Sequence, residues 1–403
     1  MHICKIPWIS LSNDPQGSVR PCCIYKDSIK KSDGTEYFLQ KDTIEEIYNS
    51  DYMNNLRNRF LNGEKPSECE TCWIDETNGY KSKRQMYDNL FNKIDVTKDN
   101  SSVKYPIDFQ LIISNACNLK CRSCGPSHST QWQKEMNNLP YNNPGTNDYK
   151  GKFFMPHGQS GGNGSVLIDD IESWASKLKR LEIVGGEPFY VEKWTTILTY
   201  LIENGYSKNV DLAMSTNATI FNHDLLINMC DNFKTVGIGL SVDGIGDVFN
   251  LLRKNANWKS VEEICLKYYD IYQQRKVSSV NFNYTYTVSW LDAYMLPDFY
   301  EWVKKNTPEL KIWNNILHQP AHMKITMLPD NEKQRIQDRW ESYDWGDYKG
   351  DINSILTFMW SESYTDEEIK REYKNFIYFD YVRKENTYEV IKEYYPSLER
   401  FFK

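Results

Sequence analysis

Six strand-like runs alternate with helical patterns through the middle of the chain, and this alternation limits the fold more than any other feature. The runs are Phe109 to Ile113, Leu181 to Val184, Val210 to Met214, Val236 to Val242, Val280 to Thr287 and Lys311 to Ile316. Between them, Leu225, Leu226, Met229, Cys230 and Phe233 keep helical spacing, as do Trp258, Val261, Ile264, Cys265, Tyr268 and Tyr272. Strand and helix in repeated alternation predict an α/β fold in which helices cover a parallel sheet. Periodicity leaves two arrangements open, an incomplete barrel and a doubly wound sheet. In both, ligands gather at the carboxyl ends of the strands.

Those strand ends are where the reactive residue types cluster. Cys117, Cys121 and Cys124 form a C-x3-C-x2-C run directly after the first strand. Three thiolates in one tight loop fall one short of the four ligands that close a structural zinc or iron–sulfur site. One corner is left for a small molecule. The triad by itself also suits part of a zinc site, with Cys69 and Cys72 or His128 completing it. Further along, Leu181 to Val184 ends in Gly185-Gly186-Glu187-Pro188, and glycines there let a ligand approach the backbone closely. Met214 is followed by Ser215-Thr216-Asn217-Ala218, polar groups suited to a ribose or a carboxylate. Ser241-Val242-Asp243-Gly244 follows another strand, and Arg253 lies twelve residues beyond Ser241. Arginine binds a carboxylate in bidentate fashion through its planar donors.

Composition excludes several classes. At 403 residues, 40% hydrophobic and 14% aromatic, the chain suffices for two or three domains with a sizeable core. No run of eighteen apolar residues is present, so no membrane partner is expected. Met1 to Trp8 lacks the basic and then apolar regions of a signal peptide, which predicts a cytoplasmic location. In that reducing compartment ten cysteines read as metal ligands or buried thiols rather than disulfides. A formal net charge of -7 argues against a nucleic-acid partner.

The ordered motifs resemble those of the radical S-adenosylmethionine (SAM) enzymes. The resemblance implies a partial (β/α)6 barrel over 101–320, with the cluster loop after its first strand. It implies a 4Fe-4S cluster on Cys117, Cys121 and Cys124, whose fourth iron takes the amino and carboxylate groups of SAM. Gly185, Gly186, Glu187 and Pro188 resemble the segment that meets the SAM amino group through backbone carbonyls and the glutamate. Ser215 and Asn217 match a polar turn in which Ala218 stands where relatives carry glycine. Ser241, Asp243 and Arg253 match a ribose contact and a carboxylate clamp. The chain departs from the pattern at Ser123, where the superfamily usually has an aromatic residue near the adenine.

Residues 1–100 hold a second cysteine set, Cys4, Cys22, Cys23, Cys69 and Cys72. The spacing Cys4-x12-Gly17-x4-Cys22 with the pair Cys69-x2-Cys72 resembles the SPASM and twitch modules of the same superfamily, though here it precedes the barrel. The resemblance implies an auxiliary 4Fe-4S cluster on Cys4, Cys22, Cys69 and Cys72, with zinc as the alternative and Cys23 as a spare. Residues 321–403 read as a mostly helical extension, with helical patterns from Asp366 to Tyr378 and Thr387 to Tyr395. The polar stretch 140–165 reads as a long loop, either a binding segment or disordered. Cys230 and Cys265 sit on apolar stripes and are expected in the core. Pro320 between His318 and His322 argues against a helical metal pair.

Function follows from the resemblance: reductive cleavage of SAM to a 5'-deoxyadenosyl radical, which abstracts hydrogen from a peptide or protein. Cross-linking or epimerisation of that peptide is the expected outcome, with flavodoxin or ferredoxin as electron donor. A small metabolite or nucleotide is the alternative substrate. The alternative of another class is a non-catalytic iron–sulfur or zinc scaffold.

Overall fold

The computed structural model describes residues 3–77, 81–96, 105–137, 165–275 and 279–402. The stretch 140–165 falls outside them except for Ser165, which opens the short helix Ser165–Asp169. Each of the six runs forms a strand at or within two residues of the expected position. These are β3 (Asp108–Leu111), β4 (Arg180–Ile183), β5 (Asp211–Thr216), β6 (Thr235–Ser241), β7 (Val280–Val288) and β8 (Lys311–Ile316). They lie side by side in chain order and all pair in parallel.

Two further strands come from the first hundred residues. β1 (Ser10–Asn13) pairs in parallel with β3, and β2 (Val19–Arg20) folds back antiparallel on β1. The sheet therefore reads β2-β1-β3-β4-β5-β6-β7-β8. Chemistry in the β1–β2 turn accounts for this hairpin. The Asp14 carboxylate accepts from the Gln16 and Ser18 amides at 2.9 and 3.1 Å, and Gly17 takes a φ of 92°, a conformation that side chains resist. The turn sets Cys4 and Cys22 at the two ends of one hairpin.

Alternation along the strands sorts the two faces. In β7, Val280, Phe282, Tyr284, Tyr286 and Val288 are buried, while Asn281, Asn283, Thr285 and Thr287 lie on the other face. The apolar face packs beneath helices such as Trp258–Gln274, whose Val261, Cys265 and Tyr268 are all fully buried. The polar face is the inner one. Register places Gln110, Glu182, Ala213, Gly237 and Asn281 in one row across it.

The last eighty residues cover one end of the sheet with the helices Asp330–Glu341, Lys349–Met359 and Asp366–Arg383. An aromatic knot anchors them. Trp290, just past β7, stacks on Tyr373 at 4.8 Å and meets Phe376 edge-on at 5.0 Å, and its indole N–H donates to the His322 carbonyl at 2.9 Å. Replacing Trp290 by Ala removes a fully buried ring and leaves that carbonyl unpaired. The expected cost is about 3 to 5 kcal/mol, read as a lower thermal midpoint of the whole chain. A midpoint unchanged within error would show that the C-terminal helices do not depend on this contact.

Candidate active site

The loops after β3, β4, β5 and β6 converge on a cleft of about 1010 Å³ at the carboxyl ends of the strands. Cys117, Cys121 and Cys124 all line it, and Ser123 does too. The loop that carries them is held by its own polar residues. The Cys117 amide donates to Thr130 Oγ1 at 3.3 Å, the Thr130 amide to the Asn115 carbonyl at 3.1 Å, and the Trp132 indole N–H to the Cys121 carbonyl at 2.7 Å. Donors also face sulfur. The Leu119 amide lies 3.4 Å and the Asn217 amide nitrogen 3.8 Å from Cys117 Sγ. Burial pushes the Cys117 and Cys124 thiols up to about 12, and Cys121 is raised by the same cause. Neutral thiols suit that setting until a cationic group draws the protons off.

Gly185 and Gly186 form the facing wall, with φ of 83° and 52°. A Cβ on Gly185 would stand 2.4 Å from Ile112 Cγ2, and one on Gly186 2.4 Å from the Ala116 carbonyl oxygen. Glycine is required at both positions by space as well as by backbone angle. The Glu187 amide then donates to the Ala116 carbonyl at 2.9 Å, which joins this turn to the triad loop.

Glu187 itself does not line the cleft. Its carboxylate is fully buried and accepts from Thr216 Oγ1 at 2.7 Å and from the Asn217 and Phe189 amides at 2.6 and 3.2 Å. Burial raises its pKa, and these donors work against the rise. Glu187 thus ties the β4 turn to the β5 turn. Pro188 is buried at the start of the short helix Pro188–Tyr190, off the cleft wall. Ser215 and Asn217 do line the cleft. Asn217 is oriented by Asn118 at 3.0 Å and by the Thr219 amide at 3.0 Å, and Ala218 takes a φ of 54°. A left-handed alanine is strained where glycine would not be.

Ser241 and Arg253 line the opposite side. Asp243 is buried behind them and holds Arg253 Nη2 at 2.7 Å, while its other oxygen accepts from the Thr287 amide at 2.8 Å. Burial works to lower the Arg253 pKa, and Asp243 together with the Cys121 and Cys117 sulfurs raises it, so that the net shift is upward. Arg253 Nε has no hydrogen-bond partner among the described residues. A buried, unpaired N–H on the rim of a cleft is a donor set out for a ligand.

Cys4, Cys22, Cys69 and Cys72 line a separate small pocket with Ile6 and Trp73. Burial raises all four thiols, Cys22 to about 11 and Cys69 to about 12. Cys23 turns away from this pocket, is exposed, and lies 2.9 Å from Lys83 Nζ, which also donates to Gln110 on the inner sheet face at 3.0 Å. Cys230 and Cys265 are in the core. His318 packs on Phe358, and His322 is buried, its pKa lowered to about 3 by burial and then by Arg122.

Sequence patterns did not point to Gln319 and Glu372, which close the cleft from the C-terminal side. They carry no motif; a helical position such as Glu372 looks like any solvated residue until the fold brings it there. Among the described residues no group of three or more His, Cys, Asp or Glu side chains is drawn together around a single ion. No described helix is long and apolar enough to cross a membrane.

Residues 4–73 match SPASM, an iron-sulfur cluster-binding domain. No curated protein sequence matches the chain. Among solved structures, native anSMEcpe with bound AdoMet is similar over 60% of this chain and 60% of its own, at 19% identity and a TM-score of 0.38. Streptococcus suis SuiB bound to S-adenosylmethionine is similar over 64% of this chain and 49% of its own, at 12% identity and a TM-score of 0.34.

Two outcomes test the geometry in the absence of any ligand. In metal-free protein at pH 8, iodoacetamide followed by peptide mass mapping should label exposed Cys23 first, Cys117 and Cys124 more slowly, and the core thiol Cys265 last; labelling of Cys117 and Cys124 as fast as Cys23 would contradict the burial of the triad. Gly186→Ala should cost about 1 to 3 kcal/mol, seen as a lower thermal midpoint, because Ala116 must move to admit the methyl.

Proposed function

We propose that the chain is a radical SAM enzyme that modifies a peptide or protein substrate. One observation carries the reading: three thiols and the unpaired Nε of buried Arg253 line the same cleft, so a metal cluster and a carboxylate-bearing ligand have adjacent partners. Cys117, Cys121 and Cys124 would hold a 4Fe-4S cluster, and Gly185, Gly186, Ser215, Asn217, Ser241 and Arg253 would hold SAM. When bound, these groups supply the reductive cleavage of SAM to methionine and a 5'-deoxyadenosyl radical.

The residues of the chain do the rest by position. Arg253 fixes the carboxylate end of the ligand, and Asp243 keeps the guanidinium from swinging away. Gly185 and Gly186 leave backbone exposed where an amino group needs acceptors, while Glu187 clamps their turn from beneath. Ser123 sits on the cleft wall without an aromatic ring, so stacking comes from no residue at that position. Excluding water from the reacting centre falls to Gln319, at the end of the barrel segment, and to the C-terminal extension, whose Glu372 reaches the cleft.

A four-cysteine auxiliary site on Cys4, Cys22, Cys69 and Cys72 supports a redox role, since full thiolate ligation leaves no open corner for substrate. The SPASM match over 4–73 supports an iron–sulfur cluster there rather than zinc. A peptide substrate is supported by the sheet itself. Its inner face is polar, and Trp313 on the edge strand β8 is 58% exposed, beside Thr285 in register. An extended peptide laid along such an edge gains main-chain hydrogen bonds and an aromatic contact.

Anaerobic reconstitution with iron and sulfide, then dithionite and SAM, should release 5'-deoxyadenosine. Iron-loaded protein that releases none would overturn the enzyme reading in favour of a scaffold. Replacing Cys117, Cys121 and Cys124 by Ala should abolish the nucleoside and retain the iron of the auxiliary site. Arg253→Lys, which keeps charge and loses the planar donors, should raise the KM for SAM by about tenfold.

A further inference from the structure

The segment that carries Arg253 and the loop that carries the triad touch along a short backbone seam. The Arg122 amide donates to the Leu252 carbonyl at 2.7 Å, and the Lys120 amide to the Lys254 carbonyl at 3.1 Å. Arg253 lies between those two carbonyls, and Cys121 between those two amides. The seam therefore sets how far the guanidinium stands from the thiols.

One side chain from far along the chain spans both sides of this seam. Glu385 places Oε2 2.6 Å from Arg122 Nη2 and Oε1 2.7 Å from Lys254 Nζ. Arg122 is 4% exposed and takes a second carboxylate, Asp380, at 2.6 Å. The approach is built by the end of the helix Asp366–Arg383. Lys384 adopts a φ of 52°, the Glu385 amide donates back to the Asp380 carbonyl at 2.9 Å, and Thr387 fixes the Asp380 carboxylate through its amide and hydroxyl, each at 2.7 Å. A parallel contact braces the next helix. Arg383 meets Glu135 through Nε and Nη2, and Glu135 also receives Lys120. Earlier in the same C-terminal helix, Glu372 faces the cleft. The extension is thus part of the wall and frame of the site.

We infer that Glu385 is a positioning residue: one carboxylate locks the triad loop to the Arg253 segment and so sets the separation between cluster and carboxylate clamp. The inference rests on the SAM reading of the cleft. It does not require Glu385 to touch SAM, since the carboxylate acts on Arg122 and Lys254 only. Loss of its charge leaves Arg122 with Asp380 alone and frees Lys254, so the two sides of the seam slide while the cysteines stay in their loop. Partners that orient ligands in this way weaken binding by about tenfold when removed.

The test uses the full chain, anaerobically reconstituted, with SAM as the probe. In Glu385→Gln, iron per chain and the thermal midpoint should stay near wild type. The dissociation constant for SAM, read from the SAM-induced change in the electron paramagnetic resonance signal of the reduced cluster, should rise about tenfold. The KM for SAM should rise with it while kcat at saturation changes less than the KM. Lys254→Met, which spares Arg122, should move the same constant in the same direction by about threefold. A purely structural role would lower iron loading and the midpoint and leave SAM affinity of the loaded fraction unchanged. Loaded Glu385→Gln with wild-type affinity overturns the inference. If Glu385→Gln fails to fold, Lys254→Met decides by the same criterion. A wild-type cluster whose signal does not respond to SAM overturns the functional reading and this inference with it.

Discussion

The site depends on one close approach, that of the Gly186 backbone to the Ala116 carbonyl. At 2.4 Å from the place a Cβ would occupy, that oxygen leaves room for hydrogen alone. Because the two turns touch, the Glu187 amide reaches the triad loop, and the Glu187 carboxylate beneath reaches Thr216 and Asn217. Three strand ends become one rigid rim. A larger residue would separate the glycine wall from the thiols, and the cleft would lose the side on which a ligand backbone rests. The strain of two left-handed residues in succession is what glycine absorbs.

Charge performs the second part of the assembly. Four cations, Lys120, Arg122, Lys254 and Arg383, surround the outside of the triad loop and meet Glu135, Asp380 and Glu385. Arg383 and Glu135 are almost fully buried, so removing either strands the other in a medium that cannot solvate it, whereas Arg122 holds two carboxylates and Lys254 is partly exposed. Such pairs add little to stability against apolar replacements, yet they fix geometry, because the directions of guanidinium and carboxylate hydrogen bonds are set by their planes. Anchored on the other side by Trp290 and Tyr373, the C-terminal helix has one way to sit.

Much of this was legible beforehand. The six strands of the inner sheet stood out because runs such as Val280 to Thr287 alternate with period two, which is the local geometry of a strand. The triad, the glycine pair and Ser241 could be placed at strand ends from their order along the chain; Arg253, which ends the helix Gly246–Leu252, was tied to the site only by the family resemblance. Less legible were β1 and β2. Each is short, and Ser10 to Asn13 has little apolar character; it is a strand because Ser10 and Ser12 pair in register with Asp108 and Gln110. Asp243 and Glu187 read as ligand contacts from their motifs, but the fold turns both inward, where backbone amides and Arg253 take their charge.

By itself the sequence determined what depends on neighbours along the chain: strand periodicity, the thiol spacing of a tight loop, and glycine where φ must be positive. Only the tertiary structure decided which polar groups face the cleft and which stand behind it: Ser241 lines the cleft, while Asp243, two residues on, is buried behind it against Arg253 and the Thr287 amide. It also decided the role of Glu385, which meets Arg122 across a separation of 263 residues. No local pattern encodes such a pair, because its energy depends on distance through space and on the exclusion of water, and both exist only once the chain has closed.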